Sequence, residues 1–350
     1  NRGTPGDKCH QIKRYYFAQM QYHRFRSIII MILIVLLTTC NVKEQRENYE
    51  LIKLAEKISE SLLKARKEID NLRVITEKLY QESSKYIGLF NDSRYEYLKN
   101  RVFYTPKDDG NCEIWASGLV PIGKLEKQKI KSLESLCPSM QRVKESSNLI
   151  TNLYLTTFDS IIVNVPYADI HAYLTPKFDF SKSWVTYWEA DARRNPEKKT
   201  IWVVPYKDAL GRGYMTSVIT PIYHNNFLEG TLGIDITVNA INEMFIASSK
   251  KNLMIITPQT IPLIVNESSA TILTIKDLKN YNYLQRASEN KVIPQSMMMI
   301  QNKSEKIRHI ARWIQSDKKR ITLSIDGTKY TLFKEKIPEV GWNLIELVKK

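Results

Sequence analysis

The chain has 350 residues, 43% of them hydrophobic and 25% charged, which is enough for two or three modest globular domains with sizeable cores. Its formal net charge is +15, yet the basic residues form no dense run and do not alternate with aromatics, which speaks against a nucleic-acid partner. A basic surface facing anionic lipid is the simpler account of that balance.

The first 40 residues hold six Lys or Arg against the single acid Asp7. Ser27 to Thr39 (SIIIMILIVLLTT) is an apolar run preceded by His23-Arg24-Phe25-Arg26 and followed by Cys40. A run of this length is short of the roughly 20 residues that span a bilayer and matches a secretory h-region. Met20 would serve as initiator, with residues 1–19 as upstream read-through. Leu37-Thr38-Thr39-Cys40 resembles a bacterial lipobox, with Cys40 as the lipidated residue, although Thr39 stands where Gly, Ala or Ser is usual. Residues 1–40 are therefore the signal peptide of a lipoprotein, an uncleaved membrane anchor, or the leader of a free secreted protein. Each places the rest of the chain outside the cytoplasm, in the periplasm or at the cell surface.

That placement bears on Cys112 and Cys137, the two cysteines beyond the leader. Two exported cysteines allow one pairing, so they form a single disulfide or stay as two buried thiols. No Cys/His cluster has metal-ligand spacing, and no metal or other cofactor is expected. The five histidines (His10, His23, His171, His224 and His309) begin no triad or metal motif, and Gly211-Arg212-Gly213 is too short for a phosphate loop. The chain reads as a binding protein and not as an enzyme.

Residues 41–100 are polar and helix-favouring. Apolar residues recur at Leu51, Leu54, Ile58, Leu62, Ala65, Ile69, Leu72 and Leu79, in steps of three and four. This predicts one long amphipathic helix reaching about Lys99. Its seam packs on the chain's own domains or pairs with a second copy. From Arg101 the pattern changes to short strands and turns. Val102 to Tyr104 and Glu113 to Ala116 flank Asp108-Asp109-Gly110-Asn111 as a hairpin. Lys124 to Ser147 reads as a helix interrupted at Pro138. Leu153 to Leu155 and Ile161 to Val165 form a second hairpin, and strands follow at Ile201 to Val204, Tyr214 to Tyr223 and Leu228 to Thr237. Val238 to Ser248 closes this unit, 101–250, as a short helix. A smaller unit, 251–350, has strands at Leu253 to Thr257 and Ile261 to Val265 and helical stretches at Ile275 to Tyr283 and Ser304 to Gln315. Strands at Arg320 to Ile325, Lys329 to Lys334 and Trp342 to Val348 complete it. Both units are α+β, each with an antiparallel sheet flanked by helices.

Phe178 to Phe245 carries the chemistry. Lys182-Ser183-Trp184, then Trp202 with Pro205-Tyr206-Lys207-Asp208, then Gly230 to Asp235 bring aromatic rings and carboxylates onto a small sheet, the materials of a cage for a cation or zwitterion. Asp208 and Asp235 are acceptors able to neutralise an ammonium, and Trp184 and Tyr206 supply aromatic faces. Taken alone, Asp208 equally suits a turn that binds backbone amides, and Asp235 an exposed strand position.

Trp-x-x-Pro-Tyr-x-Asp (Trp202 to Asp208) and Gly-x-x-Gly-x-Asp (Gly230 to Asp235), with Asn152 to Tyr167 and Ile337-Pro338-Glu339-Val340-Gly341-Trp342, resemble the double-Cache extracytoplasmic sensor domain of bacterial membrane receptors. The resemblance spans about residues 41–350 and is strongest over Lys182 to Asp235. It implies a long N-terminal helix followed by two PAS-like antiparallel-sheet units, membrane-distal (101–250, with the ligand pocket) and membrane-proximal (251–350). It also implies a ligand-binding set of Lys182, Trp184, Tyr206, Asp208 and Asp235. In amino-acid-binding members an arginine grips the ligand carboxylate where Lys182 stands, and a lysine offers only a point charge there. Phe178 stands near the position of a leading tyrosine. The implied function is a small-molecule sensor for an amine, amino acid or similar metabolite, membrane-associated at its N-terminus and coupled to a signalling partner. The alternative is an envelope lipoprotein with a structural or interaction role, using the long helix for assembly.

Overall fold

A computed structural model describes residues 48–82, 92–208, 212–273 and 298–350. The leader 1–40 with Cys40, and the helical stretch expected at 275–283, lie outside the described residues. Among the described residues no helix is long and apolar enough to cross a membrane. The chain falls into two compact units, Asn1–Lys53 and Leu54–Lys350. In the first, residues 48–53 are helical.

Helix α1 (48–81) continues into the second unit, which also holds both sheets. Within that unit Ala55, Ile58, Leu62, Ala65, Ile69, Leu72, Thr76 and Leu79 are buried by the single chain, with Ala55 and not Leu54 on the inner face. The Thr76 hydroxyl turns back to the Leu72 carbonyl at 2.8 Å, which lets a polar residue sit inside the stripe. Polar contacts fix the helix along its length. The Arg73 guanidinium donates to the Lys198 carbonyl at 3.1 Å, the Thr200 hydroxyl donates to Asp70, and Arg66 pairs with Glu339 at 2.5 Å.

The helix expected to reach Lys99 stops earlier. Asp92–Arg94 is a single 3₁₀ turn, and Glu96–Tyr97 is strand β1. Tyr95 stacks on Phe103 with ring centroids 4.8 Å apart, and Glu96 and Tyr97 pair with Tyr104 and Phe103. Aromatic packing and a turn at Arg101 (φ +69°) here override a helix-favouring composition.

The larger sheet has nine strands, all antiparallel to their neighbours. They are β1, β2 (Phe103–Tyr104), β3 (Glu113–Ala116), β4 (Asn152–Thr157), β5 (Ile161–Val165), β6 (Ile201–Trp202), β7 (Tyr206–Lys207), β8 (Tyr214–His224) and β9 (Phe227–Thr237). Their order is β1-β2-β3-β5-β4-β9-β8-β6, with β7 also on β8. The long β8–β9 hairpin turns at Asn225-Asn226, where both residues adopt the left-handed φ (+49° and +62°) that asparagine tolerates and a tight hairpin needs. The helix expected to be interrupted at Pro138 is two helices, α2 (Lys124–Glu134) and α3 (Cys137–Glu145), with the break falling just before that proline. Two short helices that the sequence pattern did not reveal, α4 (Phe180–Ser183) and α5 (Val185–Ala190), meet at Trp184. After β9 come α6 (Val238–Ile241) and a π-helical turn, Asn242–Ile246.

The second sheet has five strands, β10 (Asn252–Ile256), β11 (Pro262–Val265), β12 (Arg320–Ile325), β13 (Thr328–Ile337) and β14 (Trp342–Lys349), ordered β11-β10-β14-β13-β12. Helix α7 (Glu267–Ile272) follows β11. Helix α8 (Glu305–Ile314) packs Ile307, Ile310, Trp313 and Ile314 onto Met254, Leu332 and Ile345 of this sheet. The buried Lys334 ammonium donates to the carbonyls of Trp313 (3.0 Å), Ile314 (2.9 Å) and Ser316 (2.5 Å), closing the end of α8.

Cys112, just before β3, is disulfide-bonded to Cys137, the first residue of α3, with Cα atoms 5.4 Å apart and both side chains buried. The bridge closes a loop of 25 residues in sequence separation. Replacing both cysteines by serine should therefore cost about 3 kcal/mol. Denaturant unfolding with and without reductant measures this, and the serine variant should show no further response to reductant.

Candidate functional site

Three adjacent strands bring one row of polar side chains into register. Asn152 on β4 pairs with Asp235 on β9, and Asp235 pairs with Ser217 on β8. All three are buried. Asp235 accepts from the Ser217 hydroxyl at 2.5 Å and from the Asn152 amide at 3.4 Å. β7 brings the Tyr206 hydroxyl to 2.6 Å from Ser217 Oγ and 3.4 Å from Asp235. Serine has one proton and gives it to the carboxylate, so Tyr206 donates to Ser217 and the chain of hydrogen bonds ends at Asp235.

The turn after β7 adds the second carboxylate and its counter-charge. Asp208 is buried and accepts from Arg212 twice, from the backbone N–H at 3.0 Å and from Nε at 2.7 Å. Arg212 Nη2 reaches 4.0 Å from Asp235. Gly213 takes φ +91°, and its carbonyl accepts the Asp208 N–H at 2.8 Å, closing the turn. Burial, reinforced by Asp208, raises the Asp235 carboxyl to about 6 against the opposing pull of Arg212, Ser217 and Asn152. The Arg212 guanidinium is held protonated by Asp208 and Asp235 despite burial.

An aromatic wall continues from this row. The Tyr154 ring lies across Gly233, where a Cβ would fall 2.1 Å from Tyr154 Cζ, so only glycine leaves room for it. The Tyr154 hydroxyl lies beside Thr186, Ser217 and Tyr206 without a well-formed hydrogen bond to any of them. Trp184 packs edge-on to Phe180 (5.3 Å) and Phe178 (5.8 Å), in one cluster with Tyr154 and Trp115. Trp184 Nε1, Thr186 Oγ1 and Asn152 Oδ1 are buried and have no hydrogen-bond partner. Buried polar atoms are almost always paired, and further unpaired ones, such as Trp313 Nε1 on α8 and Asn343 Oδ1 on β14, lie away from this row.

Of the residues expected from sequence, Tyr206, Asp208 and Asp235 converge on this cluster, and Trp184 stands in its aromatic wall. Lys182 does not join them. Its side chain is 82% exposed and pairs with Asp179 at 3.1 Å, on an outer cleft with Ser181, Trp188 and Arg194. The last turn of α4 directs it outward while Phe180 and Trp184 point in. Cys40 lies outside the described residues. Arg212, Ser217, Asn152 and Tyr154 were missed. Arg212 carried a signal in its spacing, four residues after Asp208 and beside glycine, whereas Asn152 and Ser217 meet Asp235 only through strand register. Among the described residues no group of three His, Cys, Asp or Glu side chains could hold a metal ion.

No protein-family model matches the chain, and no curated protein matches it in sequence. It is similar in structure to the ligand-binding domain of the Pseudomonas aeruginosa PAO1 amino acid chemoreceptor PctB in complex with L-Arg, at 10% identity and a TM-score of 0.47, covering 86% of this chain and 93% of that one. It is also similar to the sensory domain of the Campylobacter jejuni chemoreceptor Tlp3, at 10% identity and TM-score 0.45, covering 89% and 96%. The ligand-binding domain of the Pseudomonas fluorescens chemoreceptor CtaA in complex with L-alanine matches at 14% identity and TM-score 0.39, covering 62% and 79%.

Asp235 makes the ligand-free fold pH-dependent. Its carboxyl is raised from 3.8 to about 6, so the folded state binds this proton more tightly than the unfolded chain. The stability it contributes is present in full below pH 3.8 and is lost as pH rises through about 6. Asp235→Asn should remove a cost of about 3 kcal/mol at pH 7. Thermal unfolding between pH 4 and 7 should show a raised midpoint at neutral pH and a flatter profile than the parent chain.

Proposed function

We propose that this chain is an extracytoplasmic sensor domain that binds a small molecule bearing a protonated amine. The observation that carries this reading is the charge balance of the site. Two buried carboxylates, Asp208 and Asp235, share one guanidinium, Arg212, and Asp235 lies at 4.0 Å from it. A buried negative charge without full compensation is costly, and an ammonium donated to Asp235 would relieve it. The Tyr206 hydroxyl lies at 3.4 Å from Asp235, and Tyr154 and Trp184 stand in the adjoining aromatic cluster. The acids lie in the segment whose sequence resembles double-Cache sensors. Lys182 faces outward, so the positive end of the ligand is the part these residues specify.

Binding has a physical route outward. The backbone from Trp202 to Tyr206 is tied to β8 by the Val203 N–H donating to Ser217 O (2.8 Å) and by the Thr216 hydroxyl donating to Val203 O (2.8 Å). Trp202 Nε1 donates to Glu339 at 2.7 Å, and Glu339 also pairs with Arg66 of α1 and donates its N–H to Ser59 at 3.1 Å. Closure of the site on a ligand shifts this strap and, through Glu339, the β13–β14 turn and α1. Anchoring at the membrane through the N-terminal segment, and pairing of two copies through α1, complete the proposal.

A thermal-shift screen of amines, amino acids and small carboxylates tests it. Amino acids and small amines without a large apolar body should stabilise the protein in a concentration-dependent way, and Asp235→Asn and Asp208→Asn should remove that response while leaving the fold intact. Stabilisation by carboxylates alone, or by these amines equally in the parent chain and both variants, would refute the reading.

A further inference from the structure

We propose a second binding site, for an organic ammonium with an apolar body, in the cleft of about 570 Å³ between the end of α1, helix α2 and the turns of the β4–β5 and β8–β9 hairpins. Nothing in this cleft is shared with the Asp235 cluster.

Most of the polar groups around the cleft are already engaged. The Lys129 ammonium donates to both oxygens of Asp159 (2.8 and 2.9 Å) and sits 4.6 Å from the Phe158 ring centroid. Glu126 accepts the Gly123 N–H at 2.8 Å, and the Ser132 hydroxyl donates to the Gln128 carbonyl at 3.1 Å. Two groups that matter for charge are left over. The Tyr80 hydroxyl is buried without a hydrogen-bond partner. The Glu229 carboxylate has no hydrogen bond or ion pair among the described residues.

The missing group has a definite chemistry. Among the described residues Lys129 is the one ammonium lining the cleft, and it pairs with Asp159, so Glu229 faces the cleft without an ion-pair partner of its own. Burial raises the Glu229 carboxyl, with Asp159 adding to the shift and Lys129 and His224 opposing it. An anion would meet that field unfavourably. A protonated amine would donate to Glu229, offer a further hydrogen to the Tyr80 oxygen, and lie near the Tyr80 and Phe158 rings. Three leucines and Phe158 supply the apolar part of the lining, beside Gln128 and His224. Leu79 and Leu133 are buried at its back, while Leu125 (73% exposed) and Phe158 (40% exposed) are open to solvent at its walls. That combination selects a hydrocarbon or aromatic body behind the ammonium.

2-Phenylethylamine is a suitable probe and 2-phenylethanol its neutral counterpart, both titrated calorimetrically into the full chain. The amine should bind and the alcohol should bind at least about tenfold more weakly, the loss of one charge-assisted hydrogen bond. Glu229→Gln should weaken amine binding by a similar factor. Leu125→Trp, a change at an exposed position that fills the cleft without touching the core, should block it. Asp235→Asn should leave it unchanged. Equal binding of amine and alcohol, or amine binding indifferent to both Glu229→Gln and Leu125→Trp, would overturn the second site. Binding lost in Asp235→Asn but kept in Glu229→Gln would assign the amine to the central site instead.

Discussion

The arrangement of β4, β9, β8 and β7 depends on how a carboxylate can be kept inside a sheet. Asp235 sits where an apolar residue would pack without cost, so its neighbours must supply hydrogen bonds. Asn152 and Ser217 do so from the flanking strands, Tyr206 reaches in from β7, and Arg212, held by Asp208, comes within 4.0 Å. The requirement extends to the backbone. Gly233 leaves the space across which Tyr154 lies, and Gly213 takes the positive φ that closes the Asp208 turn. One buried charge thus dictates residue choice on four strands.

The smaller sheet holds a buried charge on quite different terms. Lys334 is surrounded by three carbonyl oxygens at the end of α8 and has a complete set of acceptors. Its environment is finished, and its role is to close a helix. Asp235 has hydrogen bonds from Ser217, Asn152 and Tyr206 but one cation in reach, at 4.0 Å. The two buried charges are thus held by different means, the cation by backbone carbonyls and the anion by side-chain donors from neighbouring strands.

Much of the scaffold was legible in the sequence because its signals are local. The stripe from Ile58 to Leu79, the hairpins turned by Asn225-Asn226 and Asp326-Gly327, and the break before Pro138 each follow from spacing or turn chemistry within a few residues. The helix overran at Tyr95 to Tyr97 because stacking on Phe103 is a tertiary effect that no local composition reports. The same division holds for the site. Tyr206, Asp208 and Asp235 were visible as residue types in a recognisable pattern. Asn152 and Ser217 were not, since a polar residue on a strand means nothing until register sets it opposite another. Lys182 was misplaced for the complementary reason, because sequence proximity to Trp184 does not say which way a four-residue helix turns each side chain.

Glu339 joins three elements that are far apart in the chain. Its carboxylate takes Trp202 and Arg66, and its backbone N–H takes Ser59, so β6, α1 and the β13–β14 turn meet at one residue. Loss of that carboxylate would leave Trp202 Nε1 and Arg66 without this partner at once, so the ties from β6 and from α1 to the β13–β14 turn stand or fall together.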